Sequence, residues 1–421
     1  MRRPSKKIQK KLSADSARLA ALSQAVVQAA SRMEERACER SLDLLLQKLL
    51  KGEHQESIDS ALNHLFTADL NAYDALMESV EAGSESCVIE QEEGGVMVKY
   101  DALLIAAPVL AWTRFSIASG PISSELLLTL NAHLSAHLLA PDARLAILPT
   151  LAAIDQLPRS YAETFALTQR LGQAALKGGV PRPAANPPET APFLADTRYL
   201  LAAVVVPTGA PMFLWQTSQH QVDFVAERDA ALTQWKTQAT PTVARLLPGC
   251  GIELLLPEAY YVACREADKQ IRPVSIRAAV NYLTQALSVE ADELRAVIAG
   301  FGEESVDGLL EEYRIAFTMR HSTDVIYGIV WPFYGQEDDE GAAAEVLPAL
   351  DIPGIDRAPR PIEEILALLH ESGITHIKRH NERFPMEFCD DCGAPLFADP
   401  QSELVHAEMP EDTPQGNEHF H

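Results

Sequence analysis

Two apolar runs, Ala102–Ala111 and Leu200–Val206, constrain this chain more than any other feature. Both are too short to cross a bilayer and suit buried strands. The elements around them follow one order. A strand over 102–110 leads to a helix over Ser123–Leu139, with Pro121 just before it and Pro141 after it. A strand over Ala143–Leu148 and a helix over Tyr161–Leu176 come next. The second run, Tyr199–Val206, leads to a largely helical stretch over Val225–Leu247, a strand over Ile252–Leu256 and a helix opened by Pro273 and running to Leu287. Leu148-Pro149 and Leu256-Pro257 close the second strand of each half. A degenerate internal duplication accounts for this order, and so does the ordinary alternation of an α/β chain. The expected fold class is α/β, with a helical N-terminal region, repeated β-α-β units and a C-terminal cysteine knuckle.

At 421 residues the chain is too long for one ordinary core. Leu42, Leu45, Leu46 and Leu49 repeat at helix spacing and Gly52 ends their helix, so residues 1–82 read as a helical region. A first α/β segment spans 83–177, opened by a hairpin at Glu93-Gly94-Gly95. Residues 178–195 are a Pro/Gly-rich linker, and 196–300 form the second α/β segment. A third β-α-β unit covers 301–406, with a hairpin across His321-Ser322-Thr323-Asp324. Pro361 opens its helix, Glu363 and Glu364 suit the positive end of the dipole, and Ile374–His380 is its last strand. The composition predicts exposed, flexible chain over 178–192 and 336–360 and a disordered tail over 407–421.

A formal charge of −24 repels phosphate backbones and anionic lipid, which argues against nucleic-acid or membrane binding by the body of the protein. The local exception is Arg2, Arg3, Lys6, Lys7, Lys10 and Lys11, read as a solvated tail. No apolar segment follows Met1-Arg2-Arg3, so no signal peptide is expected. Four of the six cysteines are scattered, which is no disulfide framework, and a cytoplasmic setting follows. Phosphate-loop, nucleophile-elbow, HExxH and EF-hand patterns are missing from the sequence. Gly300-Phe301-Gly302 reads as following a helix and Gly249-Cys250-Gly251 as entering a strand, so neither suits a dinucleotide turn. Cys264 has Arg265 beside it, a neighbour that favours thiolate, although a lone cysteine near an apolar strand is commonly core filler.

The chemistry concentrates at Cys389-Asp390-Asp391-Cys392-Gly393. Two cysteines with two residues between them, then glycine, make a tight turn whose backbone N–H groups face thiolate sulfur. Three readings stand: a structural zinc ion, redox chemistry, or a plain turn without ligand. Asp390 and Asp391 would raise both thiol pKa values, which counts against redox. For zinc, Cys389 and Cys392 are the first two ligands and His406, thirteen residues beyond Gly393, is the expected third. His380 competes for a remaining position, while His376 lies four strand residues, roughly 13 Å, from it.

Arg314-Ile315-Ala316-Phe317, Tyr327-Gly328-Ile329-Val330-Trp331-Pro332 and the Cys389–Leu396 stretch together resemble an uncharacterised bacterial family, mostly β-proteobacterial, known only as a domain of unknown function. The resemblance covers nearly the whole chain from Met1-Arg2-Arg3-Pro4-Ser5-Lys6 and implies no activity. The expectation is a non-enzymatic or regulatory protein acting through a protein partner or self-association, with zinc as a structural cofactor. The alternative is an enzyme with a cleft between the two α/β segments, its polar groups converging near Pro149–Asp155 or Pro257–Glu266.

Overall fold

The computed structural model describes residues 12–182, 190, 193–217, 223–302, 310–334 and 360–409. The basic N-terminal run, 183–189 and 191–192 of the linker, the acidic stretch 335–359 and the tail from 410 lie outside the described residues.

The chain starts with four helices: α1 (Ala14–Gln28), α2 (Arg32–Lys51), α3 (Gln55–Ala68) and α4 (Leu70–Glu85). Ser13, Ser31 and Asp69 cap three of them, each side-chain oxygen accepting a backbone N–H in the first turn. The leucine stripe closes inward: Leu42, Leu46, Leu49, Ile58, Leu65 and Leu76 are buried against one another, and Phe165 joins them from a later helix.

A hairpin follows, β1 (Ser86–Glu93) and β2 (Val96–Trp112), turned through Gly94 and Gly95, both at positive φ. Next come β3 (Gly120–Pro121), α5 (Ser124–His137), β4 (Arg144–Ile147), β5 (Thr150–Ala153) and α6 (Tyr161–Lys177). The second half supplies β6 (Ala195–Pro207), α7 (Phe224–Ala244), β7 (Gly251–Leu254), β8 (Glu258–Ala259) and α8 (Tyr260–Leu287). β2 and β6 pair antiparallel from Tyr100↔Pro207 to Trp112↔Ala195. The short strands then cross over. β4 pairs with β6, Arg144↔Val205 to Ile147↔Ala202, and β7 pairs with β2, Val109↔Leu254 to Trp112↔Gly251. The local order is therefore β4-β6-β2-β7. β2 and β4 run the same way with β6 between them, and β6 and β7 run the same way with β2 between them. Among the described residues every neighbouring pair in this sheet is antiparallel. This corrects the expectation of contiguous β-α-β units: each half lends its short strand to the long strand of the other.

Strand alternation explains why these runs are apolar throughout. Ile105, Ala107, Val109 and Ala111 face Leu126, Leu130 and Leu134 of α5 and Leu232, Trp235, Ala239 and Val243 of α7. Leu104, Ala106 and Leu110 face Leu167 and Leu171 of α6 and Tyr260, Ala263 and Ala267 of α8. Both faces of the sheet are roofed by helices.

α8 departs from the expectation that Pro273 opens a helix. The helix starts at Tyr260 and carries Pro273 inside it. Proline lacks the N–H for the Lys269 carbonyl, and that oxygen instead accepts a hydrogen bond from Arg272 Nε at 3.4 Å. Before Pro273 the helix packs on the first sheet. After it, Ile276, Ala279, Val280 and Leu283 pack on a second one.

The second sheet contains β9 (Leu294–Phe301), β10 (Glu312–Met319) and β11 (Val325–Pro332), an antiparallel meander; α9 (Pro361–Glu371) then leads to β12 (His376–Phe384), which lies parallel to β9. Gly300 and Phe301 are the last residues of β9, not a loop behind a helix, so the first G-x-G triplet is a strand end. One face is covered by α8 and α9 through Ile362, Ile365, Leu368 and Leu369. Among the described residues the other face is covered by a small hairpin, β13 (Phe397–Ala398) and β14 (Leu404–Val405), and by no helix. No described helix is long and apolar enough to cross a membrane.

Candidate metal centre

The Cys389–Cys392 turn is built on this thinly covered face, and Arg314 holds it there. Arg314 sits on β10 with its side chain fully buried. Its Nε–H donates to Glu312 Oε1 at 2.6 Å, and Nη1 donates to the carbonyls of Glu387 at 2.7 Å and Leu396 at 2.6 Å. The guanidinium lies over the Phe301 ring at 4.2 Å and the Phe388 ring at 5.1 Å. One buried cation thus grips both legs of the turn. Between the legs, Leu396 N–H donates to Glu387 O at 3.1 Å and Cys389 N–H to Ala394 O at 2.7 Å. Gly393 closes the turn onto Cys389 O at 2.8 Å with φ of 73°, a conformation that glycine adopts without strain.

The Cys389 thiol is pulled below its ordinary pKa, chiefly by hydrogen bonds from the backbone N–H of Cys392 and then of Asp391, with a further contribution from the Cys392 side chain. The Asp391 charge acts the other way but is the weakest influence. This reverses the expectation from charge alone, because amide dipoles aimed at sulfur outweigh a solvated carboxylate.

The chain leaves the turn through β13, reverses at Asp399–Glu403 and returns along β14 to His406. Asp399 Oδ1 accepts the N–H of Gln401 at 2.7 Å and of Glu403 at 2.9 Å, which fixes the reversal. His406 Nε2 arrives 3.2 Å from Cys392 Sγ. The donor atoms of Cys389, Cys392 and His406 all lie within 4.8 Å of one another, and this cluster could hold a metal ion. On the far side of the ring, Nδ1 is buried without a hydrogen bond, with Glu408 Oε1 at 3.5 Å. Residues 407–409 are packed: Glu408 N–H donates to Val325 O at 2.9 Å, and Ala407 and Met409 lie against apolar clusters of the second sheet.

His380 is not in the cluster. It is buried on β12, its Nε2 2.8 Å from Asp399 O and its Nδ1 3.2 Å from Ser402 Oγ. It braces the reversal that delivers His406. Arg314 is the residue that motif reading passes over. Its signal is an arginine amid the apolar residues of a strand, at Tyr313-Arg314-Ile315-Ala316-Phe317.

The family model for a protein of unknown function, DUF2863, matches residues 4–420. The chain belongs to this family. Comparison with curated proteins and with solved structures returns no match.

The segments expected to carry a cleft are filled differently. Leu151, Ala152 and Ala153 of Pro149–Asp155 are core residues. Around Pro257–Glu266 hydroxyls do converge. Ser84 Oγ donates to Tyr261 Oη at 3.2 Å, Tyr261 Oη to Thr164 Oγ1 at 3.1 Å, and Tyr261 N–H to Glu85 at 2.9 Å. These bonds join α4, α6 and α8 to one another. Burial, followed by the Asp268 charge, pushes the Cys264 thiol up to about 12, so Arg265 does not activate it.

Proposed function

We propose that Cys389, Cys392 and His406 hold a structural Zn²⁺ in a protein that works through contacts with other proteins or with itself. The carrying observation is the convergence of two thiols and an imidazole from two separate loops, on the face of the second sheet that no described helix covers. Thiolate and imidazole donors suit zinc, and a C-x-x-C-G turn is the knuckle of zinc ribbons. Glu408 stands where a carboxylate would orient a ligating imidazole, its Oε1 3.5 Å from Nδ1. Tetrahedral zinc takes four ligands, and this cluster supplies three of them. An ion here would tie residues after β14 to the turn before β13, so its binding energy would be folding energy for this layer. His380 belongs to the support of the site, not to its ligands.

The absence of an activated nucleophile at Cys264 and the mutual hydrogen bonding of the Tyr261 cluster support the non-catalytic reading over a cleft enzyme. Met33, Leu44, Phe66 and Leu70, all well exposed on the N-terminal helices, support protein contacts. All six cysteines stand free, which supports a reducing, cytoplasmic setting. The exchanged strands also support the internal duplication. Asp101 to Thr113 aligns with Asp196 to Thr208, each long strand receiving the short strand of the other half.

Native mass spectrometry of the full chain purified without chelator tests the ion. The wild type should carry one zinc and Cys392→Ser should lose it. A metal-free wild type overturns the reading.

A further inference from the structure

A cavity of about 330 Å³ opens where the C-terminal end of β2 meets the second half of α8, far in sequence from the cysteine turn. Its volume is within the range of ligand pockets, ~300–1,000 Å³. The walls are largely apolar: Trp112, Leu194, Val274 and Tyr282 contribute, and Arg114 and Arg277 supply the positive charge. The Trp112 indole is packed so closely on Gly251 that any side chain there would collide with it. Gly251 pairs with Trp112 across β2 and β7, so the sheet itself sets this wall.

The charges point to the ligand. The protein carries −24, and most of its surface repels anions. Here two guanidiniums line one cavity. Arg114 lies over the Phe115 ring at 5.2 Å, and among the described residues no carboxylate pairs with it. Arg277 reaches Glu371 at 3.5 Å, but both side chains are more than half exposed, 57% and 65%, and such a pair is weak and easily exchanged. Glu253 also lines the cavity, with Lys236 3.5 Å away to balance it. Asn281 adds an amide that can donate to an oxyanion.

We propose that this cavity binds a small organic anion with a flat apolar body, of the aromatic carboxylate class. The ring system stacks among Trp112, Tyr282 and Val274, and the carboxylate meets the forked donors of Arg114 and Arg277. The site is separate from the cysteine cluster, and it stands whether or not that cluster holds zinc. It gives a protein built on protein contacts a small-molecule input at the junction of its two sheets.

Isothermal titration of the full chain with 1-naphthoate tests this. Saturable one-to-one binding is expected. Arg114→Glu and Arg277→Glu, both at exposed positions that leave the core intact, should each weaken it about tenfold or more. Arg36→Glu on α2 should leave the affinity unchanged. The uncharged 1-naphthalenemethanol should bind about tenfold more weakly than the acid. Circular dichroism of each variant confirms that it is folded. The proposal is overturned by any of three results: no saturable binding of 1-naphthoate at millimolar concentration, affinity insensitive to both charge reversals in folded protein, or equal affinity for the alcohol.

Discussion

The two sheets of this protein solve the same problem by different means. The first has two apolar faces and helices over both, so α5 and α7 cover one side of β2 and β6 while α6 and α8 cover the other. The second, among the described residues, has helices on one side only. Its other side carries two small apolar clusters, around Phe397 and around Phe301 and Phe384, beneath a hairpin of very short strands. Apolar area alone anchors a helix well, each fully buried leucine or phenylalanine adding about 1.5–3 kcal/mol. A two-residue strand pair offers little such area. The second sheet compensates with a buried arginine, a braced reversal and a cluster of donors that could hold a metal ion. Directional polar chemistry appears where the apolar layer is thin.

The sharpest way to break this comparison is to remove the arginine. Arg314→Ala leaves the carbonyls of Glu387 and Leu396 and the Glu312 carboxylate without their donor. Removing one member of a buried charged network costs about 3–5 kcal/mol. Urea denaturation should show that loss, and hydrogen exchange should place it in 385–409 before the first sheet responds. Uniform loosening of both sheets would mean that they do not differ in this way.

Chelation comes next. If the cluster holds zinc, an ion at a hundredfold excess over its dissociation constant contributes about 2.7 kcal/mol. Adding a chelator should lower the melting temperature and expose the amides of 387–409, with β2 and β6 unchanged. Acid should act in the same direction, because binding requires the thiolates and the neutral imidazole.

A packing change then compares the apolar parts. Gly328 on β11 lies against the Phe397 ring, and a methyl group added there would strike it. Gly328→Ala should cost about 1–3 kcal/mol, as overpacking does. Phe397→Leu should restore part of that stability in the double variant, measured as a coupling energy by denaturation. Additive losses would show that the hairpin lies loosely on the sheet.

The first sheet was legible in the sequence because its code is periodic. Ala102–Ala111 and Leu200–Val206 read as strands, and the helices that roof them read from their own stripes. The exchange of short strands was not legible, because Leu145 and Ile252 can pair with either long strand and periodicity carries no partner label. β9 was hidden between Leu287 and Phe301, where Glu290, Asp292 and Glu293 interrupt the apolar pattern just before the strand. At the candidate site, Cys389 and Cys392 were readable from spacing, and His406 from the turn-forming residues between. His380 lies outside the cluster because Asp399 O and Ser402 Oγ take up both of its ring nitrogens at the reversal, which proximity along the chain does not reveal. Arg314 was unreadable as a clamp, since its partners are main-chain carbonyls more than seventy residues away.

The smallest effect is electrostatic and separates the two regions by sign. Asp268 lies on α8, on the side that packs against the first sheet, near Cys264 and Arg272. Burial pushes its carboxyl up to about 6, and Arg272 offsets only part of the rise. The folded state therefore holds this proton more tightly than the unfolded chain does. By linkage the group costs stability above that value, and the cost fades as pH falls from about 6 toward the ordinary carboxyl value near 3.8. Asp268 is partly exposed, so solvent screening reduces the effect to about 1 kcal/mol. Asp268→Asn should stabilise the protein by that amount at pH 8 and by nothing near pH 4, read from urea midpoints at both values. Acid thus relieves a strain in the first region and, if the cluster holds zinc, strips donors from the second. A stability profile of Asp268→Asn parallel to that of the wild type from pH 8 to pH 4 would show that this carboxylate is as well solvated folded as unfolded, and that the first region carries no polar cost.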